Sequence, residues 1–202
     1  MPVRLLFAVL SCLVWYRAMA LAGPAEDQRY VDLVAKAMVA PAAADFGGIR
    51  EAYRKSRFYR GYESDPLALA ATELGGGKLT DEQVDKAIHD GFALPGIHVL
   101  AIRHFGAKLG SERKALHVKA MVALVEAIAK TGSGISEAEA FKVLVPSEEY
   151  LLVSVLKAKS EGQALVPGKD GKSRYDVHSA RLSNGKVVKL WFNVTPLFGE
   201  TP

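Results

Sequence analysis

Residues 174–194, RYDVHSARLSNGKVVKLWFNV, decide how this chain ends and hence its fold class. Apolar and polar side chains alternate from Arg174 to Leu182 and again from Lys186 to Val194, the period of half-buried strands. Asn184-Gly185 stands between the two runs, the strongest short signal for a β-hairpin closed by a type I′ turn. A two-residue loop pairs Tyr175 with Val194, Val177 with Phe192, Ser179 with Leu190 and Arg181 with Val188, and this side is expected to face the core. The other side pairs Asp176 with Asn193 and His178 with Trp191, and is expected to be mostly polar.

Upstream of the hairpin the period changes. From Pro24 to about Leu144 the chain reads as helices joined by short turns. Glu26 to Val39 places Val31, Val34, Ala35 and Met38 on one face, and Pro41 ends that run. Asp45 is a cap for a helix reaching Tyr59. Asp65-Pro66 is a cap followed by a first-turn proline, and Gly75-Gly76-Gly77 is the matching stop. Thr80-Asp81-Glu82-Gln83 is a capping box, and Gly91 closes its helix. Another helix is expected from Pro95 to about Leu109. The next starts at Ser111 and carries Val118, Met121, Val122, Val125, Ile128 and Ala129 as its apolar stripe. Ser136-Glu137-Ala138-Glu139 reads as a second capping box, and Glu148 to Leu156 leans to helix behind Ser147. The succession of helix pairs suggests helical hairpins, but no repeat of fixed period accompanies it. Helices first and strands last make an α+β domain, its helical N-terminal two-thirds packed with a small C-terminal antiparallel β-sheet.

The first 22 residues stand apart from this pattern. Arg4 precedes a continuous apolar run from Leu5 to Tyr16, Arg17 ends it, and Ala18-Met19-Ala20-Leu21-Ala22 offers overlapping small-residue cleavage patterns. A run this short fits a secretory signal peptide, since a membrane span takes roughly 20 apolar residues. Cleavage is expected after Ala22 or Ala20, leaving residues 23–202 as one domain, mainly helical over 24–145 and carrying the hairpin within 146–198. Export to the periplasm or the medium follows. A lipoprotein anchored through Cys12 is a minor alternative, from the weak lipobox-like Val9-Leu10-Ser11-Cys12.

Cys12 is the only cysteine. A mature chain without it has no disulfide, no thiol nucleophile and no cysteine-ligated metal. The formal charge of +4 falls to +2 once Arg4 and Arg17 are removed, too small an excess to point to nucleic acid. No membrane span and no cofactor are expected.

Few residues carry a recognisable chemistry. His117 lies in line with Met121, Leu124 and Ile128, so it reads either as a buried structural residue or as a general base working with Glu148 or Glu149. His98 and His104 point to different sides of one helix, and no metal-binding histidine spacing exists. Asp176 and His178 lie two apart on one strand face and make an acid-oriented base. No nucleophile elbow accompanies them. Gly171-Lys172-Ser173 lacks the first glycine of a phosphate loop and leads into a strand, so it reads as a connecting loop with Asp170-Gly171 turn chemistry. Arg50, Tyr53, Arg54, Arg57, Phe58, Tyr59 and Arg60 form a basic-aromatic cluster, read either as core aromatics with basic rims or as a surface for an acidic partner.

Asp45-Phe46, Ile49-Arg50, Tyr53, Ser56 and Tyr59 resemble the opening motif of a bacterial family, domain of unknown function 4919. His117, Gly132-Ser133-Gly134-Ile135-Ser136, Ala140-Phe141-Lys142-Val143 and Glu148-Glu149-Tyr150 resemble its central block. Gln163-Ala164-Leu165 and Tyr175-Asp176-Val177 resemble its closing block. The likeness runs from about residue 41 to 198 and implies a secreted or envelope domain without an assigned reaction.

These readings converge on a non-catalytic exported domain that binds an unknown protein or small ligand of the cell envelope. Arg50, Tyr53, Tyr59, Asp176 and His178 are its candidate binding residues. A hydrolase-like enzyme using His117 with Glu148 or Glu149 is one alternative, and a helical module for envelope assembly is the other.

Overall fold

A computed structural model describes residues 25–66, 69, 77–106 and 110–198. The expected signal peptide, Cys12 and most of the helix expected between Asp65-Pro66 and Gly77 lie outside the described residues.

Among the described residues six helices, α1 (Ala25–Val39), α2 (Phe46–Lys55), α3 (Asp81–Gly91), α4 (Pro95–Phe105), α5 (Ser111–Ala129) and α6 (Pro146–Val155), accompany four strands. The strands are β1 (Phe141–Lys142), β2 (Ala158–Pro167), β3 (Arg174–Leu182) and β4 (Val187–Asn193). The protein is α+β, with its helices mostly in the N-terminal two-thirds and its sheet at the C-terminus.

Local chemistry explains the starts of α2, α3 and α6. Asp45 accepts the amide of Gly48 at 2.9 Å and starts α2. Thr80 and Gln83 close a reciprocal capping box at α3, with bonds of 3.2 and 2.8 Å. Pro146 occupies the first turn of α6, so the cap position falls to Val145 and not to Ser147. Ser136 to Glu139 form a turn, not a helix: the loop must hand Gly134 to the sheet, where its carbonyl accepts the amide of Trp191 at 2.8 Å.

The first core lies among α1 to α5, with Tyr30, Val34, Ile49, Tyr53, Phe92, Leu94 and Leu124 fully enclosed. Within α5 the buried face is His117, Ala120, Leu124 and Ile128, whereas Val118 and Val122 are exposed. The stripe expected from sequence is therefore rotated. Apolar side chains surround most of this helix, so periodicity alone does not choose a face.

The sheet runs β1-β4-β3-β2 and is mixed, because β1 pairs with β4 in parallel while the other pairings are antiparallel. A second core, with Ile128, Phe141, Val143, Leu152, Val153, Ala180, Leu190 and Phe192, joins α5 and α6 to one sheet face. Tyr175, Val177 and Ala140 form a small cluster with Trp191 and Val166.

The β3–β4 hairpin is one residue away from the expected register. Gly185 donates to the Leu182 carbonyl at 2.9 Å and the Leu182 amide to Lys186 at 2.8 Å. Gly185 sits at φ +84°. This is a type I turn with a glycine bulge, a three-residue loop that uses Asn-Gly as readily as a type I′ turn does. His178 consequently pairs with Leu190 and Asp176 with Phe192. A one-residue slip exchanges the faces of a strand. The side of β3 bearing Asp176 and His178, expected to be polar and outward, is the side that packs under α6.

Candidate functional site

Among the described residues, three polar clusters hold the acids and histidines singled out by the sequence, and two of them are enclosed. Arg50 of α2 forms a two-pronged ion pair with Glu148 of α6, at 2.5 and 3.0 Å. Its guanidinium also reaches the carbonyls of Ala93 and Lys142, and the Leu144 amide donates to Glu148 at 2.8 Å. Both side chains are buried. The pair fastens α2, the start of α4, β1 and α6 to one another. An apolar hollow of about 180 Å³ lies against the same junction, lined by Pro66, Pro95, Val99, Leu100 and Leu151, with Ser147 and Glu148 beside it.

The second cluster joins α4 to α5. His98 and His117 meet through their Nδ1 atoms at 2.9 Å, and His98 Nε2 lies 2.9 Å from the Phe92 carbonyl. A carbonyl only accepts, so His98 donates through Nε2 and its Nδ1 takes the hydrogen from His117. Burial lowers both pKa values, to about 3 for His98 and about 4 for His117; each is pushed further down by a neighbouring group, His117 and Arg113 respectively.

The third cluster reaches the surface. Glu149 of α6 points towards β3, where its Oε2 lies 2.9 Å from His178 Nε2. Neither side chain has any exposure. The Nδ1 of the same ring lies 3.0 Å from Ser160 Oγ on β2. Ser160 is half-buried and precedes a β-bulge at Glu161 in this edge strand, which brings it within reach of the histidine. The ring donates to the carboxyl oxygen through Nε2 and receives the serine hydroxyl at Nδ1.

The other carboxyl oxygen of Glu149, Oε1, is buried without a hydrogen-bond donor. Burial raises the Glu149 pKa to about 7; the bond from His178 opposes the shift and the nearby Asp176 carboxylate reinforces it. Asp176 in turn accepts from Gln163 Nε2 at 2.7 Å, and Gln163 Oε1 accepts from the Tyr150 hydroxyl at 2.7 Å. A polar chain therefore runs from Ser160 through His178, Glu149 and Asp176 to Gln163 and Tyr150.

Aromatic rings surround its outer end. Tyr150 stands edge-on to His178 at 5.3 Å and remains about half exposed. Tyr62 is similarly exposed and stands edge-on to Phe198 at 5.9 Å. Its phenol pKa is raised, first by partial burial and then by the charges of Asp176 and Glu149.

The structure separates residues that the sequence reading groups. His117 meets His98, whereas Glu148 is held by Arg50 and Glu149 by His178, because α5 turns His117 towards α4. Arg50 and Tyr53 are buried, and Tyr59 uses its hydroxyl on the Leu144 carbonyl at 2.9 Å. Arg54, Arg57 and Arg60 have acidic partners in Glu51, Asp27 and Glu63. The basic-aromatic cluster is thus largely an internal joint. Asp176 and His178 do stand together, both beside Glu149. Sequence reasoning misses Ser160 and Gln163 as site residues. Only the family-like Gln163-Ala164-Leu165 block marks their strand.

The model of the family described as "Domain of unknown function (DUF4919)" matches residues 82–201. The chain belongs to this family. The match spans nearly all of α3, the later helices and the whole sheet, so Ser160, Gln163, Asp176, His178 and Glu149 lie within it. Arg50, Tyr62 and the Asp45–Tyr59 stretch precede it. No curated protein and no solved structure matches the chain. No helix among the described residues is long and apolar enough to cross a membrane.

Proposed function

We propose that the protein is exported and that its mature domain binds a partner of the cell envelope, without transforming it, on the surface around Asp176. The signal-like residues 1–22 support export. The observation that carries the binding reading is the contrast between the three polar clusters. Arg50–Glu148 and His98–His117 are enclosed and hold helices together, whereas the Glu149 chain emerges at Asp176 beside the exposed rings of Tyr62, Tyr150 and Phe198. Tyrosine is among the residue types enriched in binding hot spots. Two measurements test this. N-terminal sequencing of the protein recovered from a periplasmic extract should begin at Leu21 or Gly23. A photo-reactive residue at position 62 should cross-link one partner in the envelope, and Tyr150→Ala should abolish that adduct; a partner captured equally from position 118 on α5 would refute the location.

A second reading rests on Ser160, His178 and Glu149, whose order of contacts is that of a nucleophile, its base and an orienting acid. A fluorophosphonate probe separates it from the first. Covalent labelling that disappears in Ser160→Ala establishes a serine hydrolase, and its absence leaves the binding reading alone.

A further inference from the structure

We infer that the outer face of α5 is where two copies of this chain pair, their α5 helices lying antiparallel about a two-fold axis. The inference goes beyond the binding reading and does not depend on it. The inner side of α5 packs against α2 and α4. On the outer side Val118 and Val122 are 39% and 46% exposed. They belong to a row, Ala115, Val118, Val122, Val125 and Ala129, whose spacing alternates between three and four residues. Ala115 and Ala129 are exposed as well, and Val125 is half-buried. Such spacing keeps apolar side chains on one line of a helix and forms the seam along which two helices join.

Charge beside the seam selects the occupant, its direction and its register. In an antiparallel pair the residues that meet have numbers of constant sum, so Val122 meets Val125 and Val118 meets Ala129 of the second copy. One edge of the seam carries Glu112, Lys119 and Glu126, seven residues apart. In this register that edge lies against its own copy, and Lys119 faces Glu126 twice, once on each side of the axis. Sliding by one heptad in one direction sets Lys119 on Lys119 and Glu112 on Glu126. Sliding in the other sets Glu126 on Glu126. Parallel pairing sets Lys114, on the opposite edge, against Lys119. Opposite charges beside such a seam favour a pairing and like charges oppose it. All four side chains are exposed, and none forms an ion pair among the described residues. The antiparallel second copy is thus the complement of this pattern.

The seam from Ala115 to Ala129 is roughly 21 Å long. A single helix pair of that length buries less than the ~800 Å² per partner of a standard interface, so the dimer is weak.

Sedimentation of the protein purified from the cells that make it, with Cys12→Ser as the background, tests this. At about 1 mM at least half of the chains should be paired. Lys119→Glu should weaken pairing by roughly tenfold or more, and adding Glu126→Lys should restore it, while the circular dichroism stays that of the parent. Under oxidation, chains carrying both Val118→Cys and Ala129→Cys should cross-link. Chains carrying either alone should not, because each position then lies roughly 16 Å along the axis from its own copy. A monomer at about 1 mM, no response to Lys119→Glu, or cross-linking by Val118→Cys alone as readily as by the pair overturns the assignment. A photo-reactive residue at position 118 would capture a second copy, an adduct of two identical chains that differs in mass from any envelope partner.

Discussion

Glu149 and His178 meet inside the protein at 2.9 Å, 29 residues apart in sequence, and neither side chain touches solvent. Their contact ties α6 across β3 and, through His178, links Glu149 to Ser160 of β2. A glutamine at position 149 keeps the geometry. Its carbonyl accepts from His178 and its amide donates to Asp176, as the protonated acid does.

The Glu149 pKa lies at about 7 in the fold, against 4.5 for an ordinary glutamate. Its stabilising contribution is therefore fully present below about pH 4.5 and is lost as pH rises through about 7. Glu149→Gln does not lose it. The variant should be more stable than the parent at about pH 8, on the order of 3 kcal/mol, and the gap should close near pH 4.5. Urea unfolding at the two pH values measures it. A variant less stable at both values would mean that the carboxyl is ionised and needed as such.

The Arg50–Glu148 pair makes a different prediction because both partners are charged and enclosed. Removing one leaves the other buried without compensation, which costs about 3–5 kcal/mol. Arg50→Met and Glu148→Leu should each lose stability on that scale. The double variant should recover a large part of the loss, since two apolar side chains need no partner. The double variant should lose less than the sum of the two single losses, and strict additivity would show that the pair is not a unit.

Two glycines at positive φ separate backbone strain from steric conflict. Gly185 has φ +84° and open space where a Cβ would stand. Gly185→Ala should lose only the conformational term, about 1 kcal/mol. Gly134 has φ +72°, and a Cβ there would enter the Phe141 ring. Gly134→Ala must displace that ring from the second core and should lose at least twice as much. Thermal unfolding of the two variants ranks them; equal losses would mean that the Gly134 loop yields without moving Phe141.

How far the sequence reveals this molecule depends on the range of the interactions involved. Caps at Asp45 and Thr80 act within three or four residues, so their side chains can be read directly. The α+β order is equally legible, from the change of period before Arg174. Strand β2 is not: as an edge strand with most of its residues exposed, it has no buried face to impose alternation. The hairpin is recognisable but its loop type is not, and that single residue decides whether His178 points to water or to Glu149. His117 illustrates the remaining gap. Its position on an apolar helix signals burial, but only the packing of α4 against α5 supplies its partner, His98.

That histidine pair sets the response to acid. Both rings are buried, with pKa values lowered to about 3 and about 4 from 6.5, so unfolding takes up two protons below about pH 6.5. Their contribution is fully present above that pH and is lost as pH falls towards the folded values. Glu149 acts in the opposite sense between pH 4.5 and about 7, where the folded protein holds a proton that the unfolded chain releases. Among these three groups the parent thus takes up a net single proton on unfolding between about pH 5 and 6, and Glu149→Gln takes up two. Other carboxyl groups contribute alike to both proteins and cancel in the comparison. As pH falls between those values the variant should lose about 1.4 kcal/mol more than the parent. Parallel urea titrations measure the difference, and His117→Asn in the Glu149→Gln background should restore the parent's slope. Identical slopes for all three proteins would show that neither the histidine pair nor Glu149 is held in the protonation state that its burial imposes.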